Sequence, residues 1–255
     1  MLTYLLVIVA TAAGTKGAEY LCDWLKNRKA AKTGLSVLRA EDVQEWGWSG
    51  ERLLKKLIAL DHHILGDTLN EDREGTVAQW SPVFMNRPEG WAILAGTDRE
   101  IAGYYSFFAL TDSAFEKAKN GKLLDREVTM ENTVPMDVPG LYKAYFALLG
   151  HRQSPRAGAR LLDSVFQQLE ALAERGILFE EMLANAFTPD GKRICEGFGM
   201  ERICQHEDFG LVFSLRFDPW PQRLSFKRWD NLRVLYSQHL RQAEQVDEEA
   251  PSESS

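Results

Sequence analysis

The chain has 255 residues, 45% of them hydrophobic and 26% charged, with a net charge of -7. That balance excludes a disordered chain, and the lack of a clustered Lys and Arg excess excludes a general nucleic-acid binder, because phosphate neutralisation requires one. Three cysteines (Cys22, Cys195 and Cys204) and five histidines, at spacings of no ligand pattern, predict neither a disulfide framework nor a metal site and fit a reducing compartment.

No internal repeat is present, and the length suits one main domain with extensions. Residues 1–15 carry no charged side chain, and Leu5 to Ala10 is wholly apolar. Lys16 and Glu19 cut this run short of the roughly 20 apolar residues of a spanning helix. Lys26, Arg28, Lys29 and Lys32 follow, where a basic cluster would hold the rest of an anchored chain in the cytoplasm. Two readings of residues 1–33 stand. One is membrane contact through residues 1–15, with the domain on the cytoplasmic face of an inner membrane; the other is a cytoplasmic protein whose residues 17–31 form an amphipathic helix.

Thr33 and Gly34 break this segment, and residues 35–39 read as a strand before an acidic turn at Glu41 and Asp42. Leu53, Leu54, Leu57, Ile58, Leu60 and Ile64 have helical spacing, so residues 51–64 predict a helix, with a polar loop at 66–74. Trp46, Trp48, Trp80 and Trp91 read as core and loop packing, with 80–84 as candidate lining of an acceptor pocket. Two apolar runs joined by Gly96 to Glu100 predict an antiparallel hairpin over 91–110. Residues 111–139 form a polar insert, with a helix at 114–121 and Pro135 and Pro139 near its end, expected to be a variable wall of a site.

Residues 141–149 predict a largely buried strand ended by Gly150, followed by a helix whose apolar face is Leu161, Leu162, Val165, Phe166, Leu169, Leu172 and Ala173, stopped by Gly176. A strand at 177–187, a helix at 189–197 with Pro in its first turn, and a hairpin of 201–204 with 210–217 come next. The domain therefore spans 34–217, followed by a helical extension at 218–246 and an acidic, serine-rich tail at 247–255.

A buried strand, a polar turn with small residues and an apolar-faced helix make an anion cradle, since the unpaired amides at a helix start point toward a phosphate. Gln153-Ser-Pro-Arg-Ala-Gly158 lies at that junction and resembles the pyrophosphate-binding element of GNAT-type N-acetyltransferases, Q/R-x-x-G-x-G/A. Gln153 takes the first place, Arg156 stands where the first glycine is usual, and Gly158 takes the last. Residues 188–200 resemble the family's N-x-x-A-x-x-L-Y-x-x-x-G-F segment: Ile194, Gly199 and Met200 fit, while Thr188, Gly191 and Cys195 replace asparagine, alanine and tyrosine. The resemblance covers about 35–217, and its specific part is 141–202.

The resemblance implies an α/β fold with a mixed, mostly antiparallel twisted sheet flanked by helices. It implies acetyl-CoA as cosubstrate, bound by Leu148, Leu149, Gln153, Arg156, Ala157, Gly158, Ala159 and Thr188. A small-molecule or protein amine would attack the thioester directly, its carbonyl held by amides of the 145–149 strand. Candidate bases are Glu131, Asp137, Glu180 and Glu181; the last two alternate along a strand, so at most one of them can face the site. Tyr145 is a candidate contact to acyl group or amine, alongside Tyr104, Tyr105 and Tyr142, and Cys195 is a candidate acid in the tyrosine's place. Arg156, Thr188 and Cys195 equally fit a non-catalytic CoA-binding or interaction module tethered by its amino-terminal helix. A third reading is a scaffold whose cleft the 111–139 insert fills.

Overall fold

The computed structural model describes residues 34–66, 75–151, 155–218, 220 and 229–239. The expectations for residues 1–33, the tail and Gln153 lie outside them. Among the described residues no helix is long and apolar enough to cross a membrane, and no group of His, Cys, Asp or Glu is placed to hold a metal ion.

The strands are β1 (Leu35–Leu38), β2 (Trp91–Gly96), β3 (Ile101–Leu110), β4 (Thr133–Val134), β5 (Gly140–His151), β6 (Ile177–Ala186), β7 (Glu201–Gln205) and β8 (Leu211–Arg216). They form one sheet in the order β1-β2-β3-β5-β6-β8-β7, with β4 paired to β3 off this path. Every pair is antiparallel except β5 with β6. The helices are α1 (Ala40–Glu45), α2 (Gly50–Leu65), α3 (Val77–Asn86), α4 (Asp112–Lys119), α5 (Pro155–Glu174), α6 (Pro189–Gly197) and α7 (229–239). This is the mixed, mostly antiparallel α/β architecture expected from the sequence.

Local chemistry explains most boundaries. In the β2–β3 turn, Arg99 N donates to Gly96 O at 3.0 Å and Asp98 Oδ1 accepts from Glu100 N at 3.1 Å. Helix α5 crosses between β5 and β6, as a parallel pair requires, and ends before Gly176, whose φ of +75° suits a residue without a Cβ. Ser49, Thr76, Thr111 and Thr188 cap α2, α3, α4 and α6 by accepting from backbone amides.

The sheet is covered on both faces, which is why all ten residues of β3 are buried. One face carries α5 and α7 over Tyr105, Phe107 and Phe179. The other carries α2, α3 and α4 over Trp91, Ile93, Tyr104 and Phe108.

Three expectations change. Residues 80–84 belong to α3, a helix that tolerates Pro82 because Phe84 and Val83 are buried and Trp91 Nε1 donates to Phe84 O at 2.8 Å. Within the 111–139 insert, Ala114, Phe115, Leu123 and Val128 pack into the α2–α3 face, and none of its residues lines the cavity described below. The helix beyond 218 is no appendage, since Trp229 and Leu232 are each 1% exposed within the α5 core.

The Tyr236 hydroxyl of α7 accepts from the Phe179 amide of β6 at 2.7 Å. Burial raises the phenol's pKa, so it stays neutral. Tyr236→Phe keeps the ring but leaves that buried amide without its acceptor. Urea unfolding should show about 1–3 kcal/mol lost.

Candidate functional site

The parallel pairing of β5 with β6 runs from Gly140↔Ile177 to Phe146↔Ala184 and stops there. Strand β5 nevertheless continues along β3 as far as His151, paired with Gly103. At the point of divergence Phe107 pairs with Phe146 and Ser106 with Leu148, so Ala147 is an extra residue on β5. Such a bulge bends its strand and increases the local twist. The backbone of residues 147–149 is thus left without a strand partner on the β6 side.

A cavity of about 140 Å³ opens at this divergence, between β5, β6, α5 and α6. Phe146 to Leu149 form one wall and Ala184 to Thr188 the facing one; Leu162, Val165 and Leu169 come from α5, Gly191, Ile194 and Cys195 from α6, and Ile64 and Leu65 from the end of α2. Met182, Leu215 and Trp229 complete the apolar surface. Leu162 is 5% exposed yet joins none of the three hydrophobic cores.

Among the described residues the wall contains no carboxylate, imidazole or cationic side chain. Its polar side chains are Asn185, Thr188 and Cys195, with the Trp229 indole. Asn185 Nδ2 donates to Phe209 O at 3.0 Å, while its Oδ1 is buried with no hydrogen-bond partner among the described residues. The Thr188 hydroxyl is engaged as the α6 cap, accepting from Gly191 N at 3.0 Å. Burial pushes the Cys195 thiol up to about 12, so it remains protonated.

The expected site residues divide accordingly. Leu148, Leu149, Thr188 and Cys195 come together around the cavity. Ala157, Gly158 and Ala159 lie in the first turn of α5, where Ala157 and Gly158 are buried; Arg156 shares that turn. Tyr145 does not line the cavity; it is buried in the α2–α3 core, and burial together with nearby Asp125 holds its phenol neutral. Tyr104 donates to Asp61 Oδ2 at 2.7 Å, Tyr105 accepts from Arg39 Nη1 at 2.6 Å, and Tyr142 donates to Val138 O at 2.8 Å.

Glu180 and Glu181 are also outside the cavity wall. Phe179 pairs with Tyr142 and Glu181 with Lys143, so Glu180 is a bulged residue and is exposed. Glu181 is buried and committed: Lys119 Nζ lies 2.6 Å from Oε2, the Ser214 hydroxyl donates to Oε1, and Arg216 Nε is 3.8 Å away. Burial raises its pKa, but Lys119 and Ser214 outweigh burial and hold the carboxyl below its ordinary value. Glu131 and Asp137 are exposed. Sequence reasoning missed Asn185, although a lone amide within an apolar strand was a signal, and it missed the cavity wall of Met182 and Leu215, placed only as strand residues, and of Trp229, placed in the helical extension.

Among solved structures the chain is similar to the NatC complex bound to Gag peptide and CoA (12% identity over 72% of this chain and 99% of that one, TM-score 0.45). The loading GNATL domain of CurA from Lyngbya majuscula is another (13%, 72% and 98%, TM-score 0.43), as is Arabidopsis thaliana Naa50 with a bisubstrate analogue (14%, 72% and 100%, TM-score 0.42). At these values the likenesses carry no argument for the reaction, which has to come from the chain's own residues. No family model matches the chain, and no curated protein matches it.

Because the folded pKa of Glu181 is lowered, its stabilisation is present above the ordinary carboxylate value of about 4.3 and is lost as pH falls toward the folded value. Glu181→Gln should lower stability near neutral pH by about 1–3 kcal/mol. It should also flatten the decline in thermal midpoint between about pH 5 and pH 3.

Proposed function

We propose that the chain is an acyl-CoA-dependent N-acyltransferase that moves an acyl group, acetyl in the simplest case, from a CoA thioester to a primary amine. The observation that carries this reading is the divergence of β5 from β6 at the Ala147 bulge, which leaves strand amides beside an apolar cavity. Free amides at that position can hold the thioester carbonyl and the negative charge that develops on it. The first turn of α5 lies beyond the end of β5, with Ala157, Gly158 and Ala159 small enough for close approach to its backbone. There the helix-end amides and Arg156, with Gln153, would take the pyrophosphate.

In the reaction the amine nitrogen loses a proton and forms the new C–N bond. The C–S bond breaks, and the thiolate leaves to be protonated. Cys195 is a poor donor for that last proton. Transfer from a thiol at about 12 to a thiolate titrating near the free-cysteine value of about 8.5 is uphill by about 5 kcal/mol. Cys195 therefore serves as wall, and solvent protonates the thiolate. For the amine proton, Asp61 sits on α2 one turn before the wall residues Ile64 and Leu65, oriented by the Tyr104 hydroxyl. It can act as base through a water.

A second reading, CoA binding without turnover, has one observation in its favour: no acid or base side chain lines the cavity among the described residues. The thermal midpoint of the full-length protein tests both. Acetyl-CoA at 100 times its dissociation constant should stabilise it by about 2.7 kcal/mol. Arg156→Glu should weaken that binding at least tenfold, and thiol release should appear with a suitable amine from a panel. No shift at millimolar acetyl-CoA overturns both readings, whereas a shift without thiol release from any amine selects the second. Asp61→Asn should lower kcat by about 100-fold or more and leave acetyl-CoA affinity unchanged.

A further inference from the structure

We propose that the acyl group taken by this site is an unbranched aliphatic chain of medium length, housed between β6 and α5; the proposal rests on the acyl-transfer reading above. Volume gives the first reason. The cavity of about 140 Å³ is close to the roughly 150 Å³ of an apolar protein cavity that stays dry and takes up benzene, a ligand of six carbons. With the thioester head at the free β5 amides, the rest of that space exceeds an acetyl methyl and suits a chain of several carbons.

Shape gives the second. Leu162, Val165 and Leu169 fall on one stripe of α5. At 1.5 Å per residue the stripe runs about 10 Å along the helix, so the space is elongated along α5. Opposite them stand Met182 and Ala184, alternate residues on one face of β6, and Leu215 pairs with Met182 from β8.

The distribution of polarity gives the third. Asn185, Thr188 and Cys195 all come from the end of β6 and from α6, on the side of the cavity that faces the free amides of β5. The part bounded by Val165, Leu169, Met182 and Leu215 offers no hydrogen-bonding side chain apart from the Trp229 indole. A charged or strongly polar group would be desolvated there without compensation. That excludes an acceptor ammonium and a polar acyl tail from this end. A polar mouth with an apolar end suits a thioester head followed by a hydrocarbon tail.

The thermal midpoint of the full-length protein, with CoA, acetyl-CoA, hexanoyl-CoA and sodium hexanoate at matched concentrations, tests this directly. Hexanoyl-CoA is expected to bind at least tenfold more tightly than acetyl-CoA, and hexanoate alone to give no shift. Ala184→Leu, which adds an isopropyl group to the cavity wall from β6, should abolish the preference. If that variant does not fold, Leu162→Phe serves the same purpose from α5. Acetyl-CoA and hexanoyl-CoA shifting the midpoint equally would overturn the chain-length proposal and leave acyl transfer standing. No response to any of the three CoA compounds would overturn both. A response to hexanoate without one to CoA would make the cavity a fatty-acid site and overturn the donor assignment, and a preference surviving in both filled variants would remove the chain from this cavity.

Discussion

Everything at the centre of this protein depends on two parallel strands that pair from Gly140 to Phe146 and from Ile177 to Ala184 and then separate. A separated pair exposes backbone donors and acceptors, so each strand needs support from its outer neighbour to remain extended. Here β5 is backed by β3 as far as His151, and β6 by β8 from Glu181 to Ala186. The sheet consists of two halves that part near Phe146 and Ala184. The bulge at Ala147 supplies the bend, α5 roofs the opening, and α6 closes its side.

Charge is kept away from that opening by the alternation of β6. Met182 and Ala184 face the cavity, while Glu181 and Leu183 face the other way. Glu181 then finds Lys119 from α4 and Ser214 from β8, so the 111–139 insert serves to neutralise a carboxylate within the opposite layer. The result is a low-dielectric space whose electrostatics come from backbone dipoles, the arrangement in which such dipoles act most strongly on developing charge.

Much of the element order was legible because local chemistry and periodicity agreed. The bounds of α6 follow from Thr188 as cap and Pro189 in the first turn, the end of α5 follows from Gly176, and the β2–β3 hairpin from the polar turn between two apolar runs. The bulges at Ala147 and Glu180 were not legible, since an extra residue in a strand depends on the partner's register and leaves no mark of its own. Glu180 and Glu181 consequently read as an alternating pair with one inside, when one is extruded and the other tied up. Pro82 hid α3. Met182 and Leu215 were visible only as apolar strand positions, because an apolar cavity wall and a packed interior use the same residues, and Trp229 lay in the expected extension, where nothing local marks a residue as a cavity wall.

The placement of α7 has a consequence for how the chain is made. Trp229, Leu232 and Tyr236 complete the layer over Phe166, Phe179 and Phe217, so the aromatic surface on that side of the sheet stays uncovered until residues 229–236 have left the ribosome. Domains generally assemble as units during synthesis. In this one the last part of the described chain to be translated is a wall of the innermost space, and the nascent protein has neither a closed core nor a finished pocket until that part arrives.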